Sequence, residues 1–273
     1  MLPAVSPPAR EPPDTDAPRY AVLGTWVHAV DPARALDEIG AWIRQGRRRY
    51  VAFANVHGVM EGLEQATTRR AFNEAGLTVP DGVPLVWLGR LRGHAEVRRV
   101  YGPDTVLRLS EQAAQHAWSC YFYGGAPGVA ERLAGVLTER FPGLRVAGVH
   151  APPFRSLTEA EDAEDVSRIN ASHADVVFVG LGCPKQERWM ADHRSRLTAA
   201  VLLGVGAAFD FHTGRVRQAP RWMMGAGLEW LFRLMQEPRR LWRRYLVYNP
   251  RFLFHVTLQL LRLRRYPTDP PTA

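Results

Sequence analysis

The sequence predicts an α/β protein with a doubly wound, mainly parallel sheet, followed by a basic helical appendage at its C-terminal end. Three observations carry this. Short apolar runs alternate with amphipathic stretches from Arg49 to Asp210, as strands joined by crossover helices do. Three of the runs stop at a glycine turn, at Gly124, Gly180 and Gly204. Beyond Pro220 the composition changes to tryptophan, leucine and arginine, and 273 residues leave room for a full core with an appendage.

Taken in order, residues 1–18 are rich in proline and read as a disordered arm. They include Asp14-Thr15-Asp16, a solvated acidic patch rather than a metal motif, because nothing strand-like precedes it. The ordered chain is expected to start near Tyr20, so the core spans 19–220. Asp31-Pro32 reads as an N-cap with proline in the first turn of a helix through Arg44, with Leu36, Ile39 and Ile43 on one face. Arg49 to Val56 reads as a strand and Gly58 to Ala75 as a helix. A second strand, Leu77 to Val79, runs into Pro80-Asp81-Gly82, where Asp81 stands at a loop apex; by local sequence this is an ordinary Asp-Gly turn. A helix over Pro103 to His116, a strand over Trp118 to Tyr123 ending in Gly124-Gly125, and a helix over Val129 to Arg140 follow. Leu144 to Val149 is the next strand, and Thr158 with Glu161 has capping-box spacing for the helix after it.

The stretch Ala174 to Met190 then packs Val176 to Val179 and Leu181 against Gly180 and Gly182, and Pro184 opens a helix carrying Lys185, Gln186 and Glu187. In an open α/β sheet such a turn faces the ligand crevice, and the free N–H groups of the helix's first turn favour an anion. Lys185 would hold a phosphate-bearing molecule and Gln186 would orient it; the same residues also suit a packed turn with a solvated face. Ala199 to Val205 is the last strand, closing in Gly204-Val205-Gly206-Ala207-Ala208-Phe209-Asp210. With its glycine turns the sheet is Rossmann-like, but GxGxxG and Walker loops are absent, which weakens a dinucleotide site of the usual type.

The chain carries 35 Lys and Arg against 27 Asp and Glu, a net charge of +8 that favours anionic partners. The tail concentrates it: Arg233, Arg239, Arg240, Arg243, Arg244, Arg251, Arg262, Arg264 and Arg265 are mixed with Trp230, Trp242 and Tyr245, and Pro238 and Pro250 are expected to divide 221–266 into short helices. Such a basic, tryptophan-bearing segment fits an anionic membrane surface. A helix pair docked on the core with a solvated basic face is the competing reading. No signal peptide or apolar span is visible, so the protein is expected in the cytoplasm, peripheral on the inner face of the membrane. Residues 267–273 read as a disordered tail. Cys120 and Cys183 follow or lie in strand-like runs and suit a reducing compartment rather than a disulfide.

Together these motifs resemble the WecG/TagA/CpsF glycosyltransferase family. The resemblance covers most of Arg49 to Phe252 and rests on Ala54-Asn55-Val56-His57, Asp81-Gly82-Val83-Pro84, Arg99-Val100-Tyr101-Gly102, Tyr123-Gly124-Gly125, the Val179 to Glu187 run, Gly204 to Asp210 and Gly227 to Leu234. It implies transfer of a sugar from a UDP-activated donor to a polyprenyl-diphosphate-linked acceptor, in teichoic acid, common antigen or exopolysaccharide synthesis. The transfer it implies inverts the anomeric centre and needs neither metal nor cofactor. On the same resemblance Asp81 is the general base. Asn55, Arg99, Gly124, Gly125, Gly180, Gly182, Lys185, Gln186, Glu187 and Asp210 form the substrate pocket. Arg233, Arg239, Arg240 and Arg243 belong to an appendage that meets the membrane and the diphosphate. Two positions depart from the family pattern: Phe53 replaces a threonine, and Gln218-Ala219-Pro220 replaces arginine-alanine-proline, with Arg217 one place earlier. A homo-oligomer is compatible with the family, and a nucleic-acid partner is not expected. The alternative is a nucleotide-binding α/β protein without transferase activity.

Overall fold

The computed structural model describes residues 15–266 and Thr268. The chain packs earlier than Tyr20: Ala17 is buried in the core and Thr15 Oγ1 donates to Glu38 at 2.7 Å. Asp14 and most of 267–273 lie outside the described residues. A hairpin that the sequence pattern did not announce comes first, β1 (Arg19–Val22) and β2 (Thr25–His28). Its loop residues Leu23 and Gly24 both have positive φ, at 50° and 91°. Leucine is a poor signal for that geometry, which asparagine or glycine ordinarily supplies.

The central sheet has six strands, all parallel: β3 (Arg49–Ala54), β4 (Leu77–Pro80), β5 (Ser119–Gly124), β6 (Arg145–His150), β7 (Val176–Gly180) and β8 (Val201–Gly204), in the order β4-β3-β8-β7-β5-β6. Alternate residues feed opposite faces. Val51 and Phe53 join the core beneath α1 (Pro32–Gln45), α5 (Gly102–His116) and α6 (Val129–Arg140). Tyr50, Ala52 and Ala54 join the core on the other face, with α2 (Val56–Glu64), α4 (Val83–Leu91), α7 (Glu159–Ala171) and α8 (Lys185–His193). Phe53 is spent on packing on the first of these faces.

Several expected elements shift. The helix expected over Gly58 to Ala75 is two, α2 and α3 (Ala66–Asn73), parted at Gln65, whose backbone is extended. Pro84 stands in the first turn of α4, so Asp81 lies at a strand-to-helix joint rather than on a free loop. The Thr158 and Glu161 capping box forms in both directions. After α9 (Ala208–His212), the tail is α10 (Arg221–Gly225), α11 (Glu229–Gln236), α12 (Pro238–Trp242), a π-helical turn over Arg243–Val247 and α13 (Tyr248–Leu260). Pro238 opens a helix as expected, but Pro250 divides nothing. It is the third residue of α13, in the first turn after the π-helical one, where the missing N–H is least costly.

The tail is docked. Phe252 and Val256 enter the core against α2, and Gln259 bonds Leu23 N–H and the Ala21 carbonyl across β1. Tyr248 OH donates to Glu61 and Glu64, and Arg251 pairs with Glu64. No helix among the described residues is long and apolar enough to cross a membrane.

Candidate active site

Because the strands are parallel, Asn55, Asp81 and the glycine turns at Gly124, Gly180 and Gly204 all stand at the carboxyl edge of one sheet. The loops after β3 and β4 are tied together: Asp81 N–H and Gly82 N–H both donate to the Ala54 carbonyl, at 2.9 and 3.0 Å. A Cβ on Gly82 would come within 3.1 Å of Asn55 Cα, so the close approach uses a glycine. Asn55 caps α2, its Oδ1 accepting from Gly58 N–H at 3.1 Å.

Over this edge the tail closes a cavity of about 390 Å³, lined by Asn55, His57, Asp81 and Arg99 from the core and by Glu229, Arg233, Arg244 and Tyr245 from the tail. Arg99 organises its centre. Nε donates to the Asp81 carbonyl at 2.5 Å, while Nη2 is shared between Asp81 Oδ1 at 3.3 Å and Glu229 Oε2 at 2.7 Å. The guanidinium lies 4.2 Å from the Tyr101 ring centre, and Tyr101 OH reaches Glu229 at 3.4 Å. Burial works against the charge on Arg99, but Asp81 and Glu229 outweigh it and hold the group above its ordinary value.

Burial pushes the Asp81 carboxyl up to about 6; Arg99 opposes this and Glu229 reinforces it. His57 goes the other way. Burial and the Arg244 charge push it down to about 3, so near neutral pH it is an uncharged and weak base. Of the two, Asp81 is the better proton acceptor, since a general base is most effective when its pKa lies near the operating pH.

Arg233 and Arg244 bring positive charge to the same cavity. Their Nε atoms are buried without a hydrogen-bond partner, and burial followed by the Arg233 charge lowers Arg244. Two guanidiniums held together in this way suit an anion with several oxygens. Of the four tail arginines assigned to the diphosphate by the resemblance, only Arg233 lines the cavity. Arg239 and Arg243 are exposed and Arg240 pairs with Glu237. Glu229, Arg244 and His57 were not singled out as site residues, although Glu229 and His57 lie inside motif stretches.

The turn from Gly180 to Glu187 was expected to share this cavity, and it does not line it. Its side chains are committed to packing. Gln186 Nε2 donates to the Gly204 carbonyl at 2.5 Å and to Glu187 Oε1 at 2.9 Å, and its Oε1 accepts from Gly182 N–H at 3.1 Å. Glu187 is fully buried, and burial pushes its carboxyl up to about 7. Cβ atoms on Gly204 and Gly206 would meet the Gln186 amide at 3.1 and 3.2 Å, and one on Gly180 would meet the Phe209 ring at 2.9 Å. Gly124, at φ 110°, lies against the Gly180 backbone, where a Cβ would come within 2.8 Å, and Gly125 N–H donates to the Gly180 carbonyl. The motif stretches therefore explain one another by packing. Burial raises the Cys183 thiol, the reverse of what a nucleophile needs.

Lys185 and Leu181 face a second cavity, of about 270 Å³, with Tyr123, Asp162 and Trp189. Asp210 lines neither cavity and lies 3.8 Å from Arg215. Arg244 connects the two regions, close enough to Cys183 and Glu187 to influence both groups. Among the described residues, no three His, Cys, Asp or Glu side chains gather where they would hold a metal ion.

Comparison with known proteins agrees with this architecture. The model of the glycosyl transferase WecG/TagA/CpsF family matches residues 20–266. A protein of Bacillus spizizenii strain W23, named N-acetylglucosaminyldiphosphoundecaprenol N-acetyl-beta-D-mannosaminyltransferase, is 31% identical over 205 residues, covering 75% of this chain and 77% of the relative. A protein of the same name from Bacillus subtilis strain 168 is 30% identical over 174 residues, covering 64% of this chain and 66% of the relative. With the matched span running from the first hairpin to the end of the docked tail, the chain belongs to the WecG/TagA/CpsF family of glycosyltransferases.

Proposed function

We propose that this glycosyltransferase moves a sugar, with inversion, from a UDP-activated donor to a sugar carried on a polyprenyl diphosphate, in the synthesis of a cell-envelope polysaccharide. The relatives' name specifies an N-acetylglucosaminyl-diphosphoundecaprenol acceptor and a transferred N-acetylmannosamine, and the same class of substrates fits this site. The observation that carries the reading is Asp81, its carboxyl raised to about 6, in a cavity that also holds Arg99, Arg233 and Arg244.

Inversion is a single in-line displacement. The Asp81 carboxylate takes the proton of the acceptor hydroxyl, that oxygen forms the new bond to the anomeric carbon, and the bond to UDP breaks on the opposite face. The charge left on UDP is met by guanidinium groups fixed before the reaction starts. Asn55 lines the same wall and orients the bound sugar. The turns at Gly124, Gly125, Gly180 and Gly182 support the sheet edge beneath the cavity by packing, and Lys185 faces the second cavity. The tail over 221–266 is the membrane-facing appendage, with Arg239, Arg240 and Arg243 directed at anionic headgroups and Trp222, Trp242 and Leu246 exposed beside them.

Asp81→Asn is expected to reduce transfer by about 10²–10⁴-fold and to leave UDP affinity, measured by calorimetry, within a few-fold of the wild type. Wild-type turnover in this variant would remove Asp81 from the role of base. A panel of UDP-sugars assayed against a short-chain lipid-linked acceptor identifies the donor; turnover with none of them would favour a nucleotide-binding protein without transferase activity.

A further inference from the structure

The Asp81 cavity has an apolar end. Val83 and Trp87 of α4 line it on one side, and Leu228, Phe252 and Leu253 of the tail line it on the other. Trp87 and Leu253 are 57% and 64% exposed while also lining the cavity, so they mark its mouth; the Asp81 side chain is only 19% exposed, at the inner end. Beyond the mouth each bank continues in apolar residues. Leu91 stands one helical turn after Trp87 on α4, and Leu260 two turns after Leu253 on α13, and both are exposed. Beside Leu228 the tail comes close to α4: a Cβ on Gly227 would lie 3.6 Å from the Trp87 ring.

We propose that this mouth, between α4 of the core and α13 of the tail, seats the prenyl chain of the lipid-linked acceptor. The inference rests on the substrate class proposed above. Such an acceptor presents three chemistries in a fixed order: a sugar hydroxyl, a diphosphate and a branched hydrocarbon. The cavity answers them with a carboxylate at its inner end, guanidiniums on its wall and an apolar exit. Hydrocarbon laid against Trp87 and Leu253 covers apolar surface that otherwise faces water, and binding gains in proportion to the area covered. The core helix α4, and not the appendage alone, thereby recognises the lipid, and chain length becomes a determinant of specificity.

The test compares a long-chain prenyl-diphosphate-linked acceptor with a short-chain analogue, both in detergent micelles, using the full chain. Wild-type kcat/KM is expected to be higher for the long chain. Trp87→Ser is expected to raise KM for the long-chain acceptor about tenfold, with a far smaller change for the short one. Leu253→Ser, on the opposite bank, is expected to act in the same direction, and both positions are exposed enough for the variants to fold. Equal wild-type kinetics on the two acceptors, or variants that lose vesicle binding yet keep the long-chain KM, would overturn the proposal and make the patch a bilayer contact only. Failure of the wild type on both acceptors would instead overturn the substrate class itself, so the two failures are distinguishable.

Discussion

The Asp81 cavity and the Gly180 to Glu187 turn are built from the same ingredients: a parallel strand's carboxyl end, glycines, charged side chains and the start of a helix. They use them in opposite ways. At the turn, the Gln186 amide is bonded on both sides to backbone, and the Glu187 carboxyl, one oxygen of which has no hydrogen-bond partner, is sealed away from both cavities. In the cavity, Arg99 is divided between two carboxylates, while Arg233 and Arg244 keep nitrogen atoms without partners. Polar groups short of partners beside an open cavity can be completed by a ligand, whereas one sealed into the packing has no room for it. On the proposed mechanism the more distinctive motif is thus the scaffold, and the plainer Asp-Gly joint is assigned the chemistry.

The contrast breaks most visibly at Arg244. Arg244→Ala is expected to lower transfer about 10²-fold with little change in melting temperature, whereas Arg145→Ala, at the exposed start of β6, serves as the control and stays near wild type. Loss of fold rather than of rate in the first variant would place Arg244 with the scaffold. At the turn the expectation reverses. Gln186→Ala strands the Gly204 carbonyl and is expected to cost about 1–3 kcal/mol of stability by denaturant unfolding, with acceptor KM nearly unchanged in the folded fraction. A large KM change without destabilisation would make Gln186 a ligand contact.

The smallest effect is a shift along the pH axis. Asp81 must be ionised to accept a proton, so kcat/KM is expected to rise with pH through about 6 and level off above it. Glu229 is among the charges that raise Asp81, and it draws Arg99 away from it. Glu229→Gln removes both influences, so the acidic limb moves to lower pH. A limb that moves upward, or an unchanged one, would show that Glu229 only secures the tail.

Much of this was legible beforehand, for local reasons. The α1 cap at Asp31, the Thr158 and Glu161 box and the six core strands follow from side chains that act on their own backbone or from apolar runs of strand length. The first hairpin was not legible because Leu23 occupies a left-handed position without the usual turn residue. Arg244 was hidden among its neighbours. Neighbouring residues of a helical turn point in different directions, so Arg243 faces solvent while Arg244 enters the cavity, and composition cannot separate them.

From its residues alone, then, the chain determined its alternation of strands and helices, its parallel sheet, its basic tail and, through matching motifs, the family it belongs to. Tertiary structure decided which charges meet. Asp81, Arg99 and Glu229 come from a β4 joint, a loop before α5 and the tail, and the docking of the tail onto the core brings the last of them into reach. The pKa of Asp81 belongs to that assembly, because burial and neighbouring charge are properties of the packed molecule and of no segment of it.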